Sequence, residues 1–93
     1  MNLNQNVILS PEVISQEVSG ETVLLDLDSE NYFGLDEVGT RIWQLLQETG
    51  QLQVVYDTLL AEYAVAPAQL LQDLEKLLSE IQAAGLVRLT EPE

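Results

Sequence analysis

Ninety-three residues leave room for one compact domain, and 46% apolar types with a mean hydropathy of +0.07 suit a buried core, not a membrane span. Three basic residues (Arg41, Lys76, Arg88) against sixteen acidic ones give a net charge of −13, which excludes the cationic footprint that nucleic-acid phosphates or an anionic membrane surface require. With no Cys and no His, disulfides, thiolate nucleophiles, zinc–thiolate sites and the commonest general base are ruled out, so the chain is expected to act by binding.

The amino-terminal stretch MNLNQNVILSPEV lacks the basic and apolar regions of a signal peptide. A soluble, cytoplasmic protein is expected. Val7-Ile8-Leu9, closed by Ser10-Pro11, reads as either a short strand or an extended lead-in. Glu12–Val18 is rich in β-branched residues, and Ser19-Gly20 is a tight-turn pair. Thr22–Leu27 then alternates, with Val23, Leu25 and Leu27 on one face and Thr22, Leu24 and Asp26 on the other. Asp28-Ser29-Glu30-Asn31 is turn chemistry, and Tyr32–Leu35 is a third short strand. Three strands with short connections predict an antiparallel meander.

Beyond Leu35 the period becomes helical. Asp36 is a good N-cap, and Val38, Ile42, Leu45 and Leu46 recur at helix spacing until Gly50 stops the run. Gly39, in the first turn, points to close packing against the sheet. A second helix is predicted from about Leu52 to Tyr63, with Leu52, Val55, Leu59 and either Leu60 or Tyr63 buried. Pro67 suits the first position of a third helix, although Ala66 before it is not a typical capping residue, and the second helix has Leu52-Gln53 where a capping residue is expected. Within the third helix Leu70, Leu74, Leu77 and Ile81 form one row, and Leu71 and Leu78 an adjacent one, before Gly85 ends it. That apolar arc is wider than a single core contact needs. Either the helix is deeply buried or one row is kept for a partner. Leu86–Leu89 continues as an extended tail. Three strands followed by three helices in residues 1–93, with a core at about 13–87, predict one α+β domain of winged helix-turn-helix-like architecture.

Few constellations carry chemistry. The oxygens of Asp26, Asp28, Glu30 and Glu37 fall at calcium-loop spacing, but the position that requires Gly is Asn31 and the preceding segment is a strand. Ser29 follows Asp28 as a carrier-protein serine would, yet a turn and a strand follow it where a helix should open. No Gly-rich phosphate loop is present, and nothing places two carboxylates face to face. No catalytic residue, cofactor or metal is expected. The third strand is the remaining lead, because Asn31–Leu35 ends the meander and carries no charge. A last strand is either covered by its own fold or open to an added peptide strand.

The order SGETVLLDLDSENYFGLDEVGTRIWQLL, then LLAEY and QLLQDLEKLLSEIQAAGLV, resembles the PqqD family of precursor-peptide recognition elements, and most of all its stand-alone lasso-peptide branch. The resemblance spans about Val13 to Val87. It implies an adaptor that binds the leader segment of a ribosomally made precursor as an extra strand and presents it to a leader peptidase, with a cyclase as a further partner. The alternative within the family is delivery to a radical SAM enzyme, as in pyrroloquinoline quinone synthesis. Carried onto this chain, Asn31, Tyr32, Phe33, Gly34 and Leu35 supply backbone pairing. Leu70, Asp73, Leu74 and Leu77 supply the helix wall, with Lys76 at the rim. The acidic surface implies a leader with Lys or Arg flanking an aromatic or Pro anchor. A winged-helix transcription factor would need a basic third helix, and this one sets Lys76 against Asp73, Glu75 and Glu80.

Overall fold

The computed structural model describes residues 2–91. Chain order is β1 (Asn6–Leu9), β2 (Val13–Val18), β3 (Glu21–Asp26), β4 (Asn31–Leu35), α1 (Glu37–Glu48), α2 (Leu52–Glu62), α3 (Pro67–Ala83) and β5 (Val87–Thr90). β2, β3 and β4 form the expected antiparallel meander, so the fold is α+β with a three-stranded sheet followed by three helices. Ser19 and Gly20 both take positive φ, 53° and 84°, in the β2–β3 turn, the geometry whose twist matches a two-residue hairpin. The β3–β4 turn is organised by Asp26, whose buried carboxylate accepts from the Asp28 amide at 3.1 Å and the Ser29 hydroxyl at 2.9 Å. Ser29 and its acidic neighbours therefore belong to a strand–turn–strand unit.

Of the two readings of Val7-Ile8-Leu9 the short strand holds, and the extended tail is a strand as well. β1 pairs antiparallel with β5, Val7 opposite Leu89 and Leu9 opposite Val87. Val7 and Val87 join the core. The pairing is between segments some eighty residues apart, so no local pattern announces it. Gly50 anchors the same corner. Its φ is +66°, and a Cβ there would sit 2.8 Å from the Val7 carbonyl oxygen. The Val7 amide donates to the Gly50 carbonyl at 2.7 Å.

The sheet turns Thr22, Leu24 and Asp26 inward, all buried, and leaves Val23 44% and Leu27 51% exposed. Thus the face of β3 with more apolar residues is the outer one. α1 packs on the inner face of β3 and β4. The Asp36 side chain caps α1 by accepting from the Gly39 amide at 2.8 Å. A Cβ on Gly39 would lie 3.3 Å from Leu35, which is the close packing that glycine foretold. Ile42, Trp43, Leu45 and Leu46 are buried, whereas Val38 stays partly exposed. α2 buries Leu52, Val55 and Leu59, and α3 buries Leu70, Leu74, Leu78 and Ile81. Neither Gln51 nor Ala66 supplies a side-chain cap. α1 and α2 are tied at the surface by a bidentate pair, Arg41 Nε and Nη2 donating to the two Glu62 carboxylate oxygens at 2.8 and 2.7 Å.

Candidate peptide-binding groove

β4 is paired by β3 on one side, and among the described residues no strand pairs its other side. Its outer margin thus leaves peptide groups available to a new strand. The register sets its faces. Phe33 lies opposite the buried Leu24, and Leu35 opposite the buried Thr22, so both point inward. Tyr32 and Gly34, opposite Leu25 and Val23, point to the outer face, where Tyr32 is 73% exposed. Asn31 shares the inner parity through Asp26 but is exposed at the strand's start.

Beside this margin runs a groove of about 490 Å³. β4 contributes Phe33 to Leu35 and the following Asp36. α1 contributes Val38, Gly39 and Ile42, and α3 contributes Asp73, Lys76, Leu77 and Glu80. The α3 residues step by three, one and three, which places them on one face of a helix. Phe33 and Leu77 are half-buried and pack against the core at the groove, while Asp36, Asp73 and Glu80 outnumber Lys76 around it. Asp73 also accepts from Gln69 Nε2 at 2.9 Å. The cleft is apolar at its floor and acidic at its rim. It can take an extended segment with apolar anchors and cationic flanks.

Of the α3 residues expected to form the helix wall, Asp73, Lys76 and Leu77 line the groove. Leu70 and Leu74 do not: at 3% and 0% exposure they are core residues. The correction is one of helical phase. α2 and β5 pack against α3, the stripe of Leu70, Leu74, Leu78 and Ile81 is buried, and Leu77 is left toward the cleft. Sequence reasoning missed Asp36, Val38, Gly39, Ile42 and Glu80. Glu80 had a usable signal, four residues beyond Lys76 on the same helix face. The α1 residues had none, since only packing brings that helix's first turn beside α3. No group of three or more His, Cys, Asp or Glu residues able to hold a metal occurs among the described residues, and no helix among them is long and apolar enough to cross a membrane.

A winged-helix-like α+β module with an open sheet margin over a helix-walled cleft is the class these features define. The chain belongs to the PqqD family: the family model for coenzyme PQQ synthesis protein D matches residues 21–87. Among solved structures, the chain is similar to TbiB1 in complex with the TbiA(beta) leader peptide, at 38% identity and a TM-score of 0.81 over 86% of this chain and 93% of that one. It is also similar to a lasso peptide synthetase B1 complexed with the leader peptide, at 25% identity and a TM-score of 0.79 over 89% and 98% of the two chains. No curated protein matches the sequence.

Proposed function

We propose that this chain is a non-catalytic adaptor that binds the leader segment of a ribosomally synthesised precursor peptide by strand addition along β4. Residues 1–93 act as one recognition domain that presents the leader to the peptidase of a lasso-type pathway. The observation that carries the reading is the unpaired margin of β4 lying directly beside the groove walled by α3. Two structural relatives with leader peptides bound support it. Delivery to a radical SAM enzyme is the other family assignment, and likeness to a lasso peptide synthetase B1 favours the lasso-type pathway. A cytoplasmic site of action, where the precursor is made, fits this role.

Energetics limit how much the backbone alone can do. About four backbone hydrogen bonds at ~1 kcal/mol net each and two anchored apolar side chains at ~2 kcal/mol each give roughly 8 kcal/mol gross. Ordering a flexible leader takes back ~2–5 kcal/mol. Sub-micromolar affinity, worth more than ~8 kcal/mol net, therefore needs the acidic rim to engage cationic leader residues. Calorimetric titration with the leader segment of the cognate precursor peptide tests the proposal. Saturable one-to-one binding is expected, with new antiparallel contacts from the peptide to Asn31–Leu35 by NMR. Binding that leaves the β4 amides unperturbed would overturn it.

A further inference from the structure

Gly39 has the right-handed backbone of α1, which any residue can adopt, and it stands in the first turn, where Ala forms helix better. Gly20, Gly50 and Gly85, by contrast, take positive φ. What glycine supplies at position 39 is space. A Cβ there would lie 3.3 Å from both Cβ and Cδ2 of Leu35 and 3.2 Å from Asp36 Oδ1. That oxygen already accepts from the Gly39 amide at 2.8 Å. A single residue, Asp36, separates the end of β4 from the start of α1, so Leu35 and Gly39 mark the corner where two walls of the groove meet. Leu35 is a core residue, and its Cβ, unlike the tip of a long side chain, cannot turn aside. A side chain at position 39 therefore acts on the spacing between strand and helix.

From this we infer that Gly39 is a positioning residue for peptide binding: its missing side chain sets how closely α1 approaches β4 and, through that spacing, the width of the groove. The inference rests on the leader-binding reading above. Val38, beside Gly39, and Ile42, one turn further along α1, line the same groove, and a close-packed helix carries a displacement of its first turn to both. A side chain at position 39 forces Leu35 and α1 apart by a few tenths of an ångström. The opposite wall does not follow, because α3 is held in the core by Leu70, Leu74, Leu78 and Ile81. The groove then opens on its α1 side. An apolar anchor seated there loses contact along one flank, and a gap too small for water forfeits dispersion energy with nothing to replace it. Glycine at this position gives up helix propensity and keeps the groove narrow.

Gly39→Ala tests this by calorimetry, with thermal melting as the check on folding. The probes are the leader segment of the cognate precursor peptide and a set in which each apolar leader residue is replaced in turn by Ala and by Trp. The variant is expected to melt cooperatively near the wild-type temperature, since its gain in helix propensity offsets the tighter contact, and to bind the parent peptide roughly fivefold more weakly. At one leader position the larger side chain should fill the opened groove, so that its affinity relative to the parent rises for Gly39→Ala compared with wild type. A residue that serves folding alone would move neither the affinity of the folded chain nor that ranking. Unchanged affinity, a loss that leaves the ranking of the peptides as in wild type, or a chain that no longer folds would each overturn the inference while the adaptor role stands. A folded wild-type chain that binds no leader peptide would overturn the adaptor reading itself and the inference with it.

Discussion

Leu74 and Leu77 stand one helical turn apart on α3 and have opposite surroundings. Leu74 is fully buried among the core residues, whereas Leu77 is half-buried at the groove wall. Truncating Leu74 to Ala should cost ~2–5 kcal/mol of stability, as other fully packed leucines do, and will show as a lower urea midpoint. Leu77→Glu should leave the melting temperature near that of the wild type and weaken leader binding at least tenfold. It places a carboxylate where an apolar anchor seats, among Asp73 and Glu80. Calorimetry and melting on the two variants separate these outcomes. Reversed results would mean that the two side chains exchange roles.

At the scale of elements, two junctions hold β4 and the helices in register. Gly50 links α1 to α2 where β1 crosses them, and its positive φ and 2.8 Å approach to the Val7 oxygen leave no space for a side chain. Gly50→Ala should destabilise the fold by at least ~1–2 kcal/mol, the strain of a left-handed non-glycine residue alone, measurable by chemical denaturation. The Arg41–Glu62 pair joins α1 to α2 at the surface. Its hydrogen bonds hold the Glu62 carboxyl below the usual carboxylate range and raise the Arg41 guanidinium. Because the unfolded chain takes up the proton on Glu62 first, the pair's contribution is complete above the ordinary value of 4.5. It fades as pH falls through the lowered folded value. Glu62→Gln should therefore be slightly less stable than wild type at neutral pH, with the gap closing at acid pH in parallel melts. The effect will be small, as for exposed pairs generally.

For the whole molecule, the charge of −13 acts on association more than on the fold. A leader carrying Lys or Arg is drawn toward the acidic groove rim, and salt screens that attraction over a Debye length of ~8 Å at physiological ionic strength. Leader affinity should fall as salt rises from ~10 mM to ~0.5 M, mostly through a slower association rate. Asp73→Asn with Glu80→Gln should flatten that dependence, read by stopped-flow or calorimetry at several salt concentrations. Salt-independent binding would remove the electrostatic component and leave the groove's apolar contacts alone. The same charge disfavours close approach of two copies of this chain, since each brings the same excess of carboxylates.

Periodicity and turn chemistry in the chain determined the meander, the three helices, the Asp36 cap and the uncharged β4 segment, because each is written in residues a few positions apart. The order of those features also carried the family resemblance. Tertiary structure alone decided that β1 and β5 pair, that β3 turns its less apolar face inward, and that Leu70 and Leu74 are core while Leu77 faces the cleft. Those outcomes depend on which neighbour occupies a given side of a strand or helix. A helix bearing leucines on two adjacent rows is compatible with more than one rotation until α2 and β5 pack against it and bury a stripe drawn from both rows.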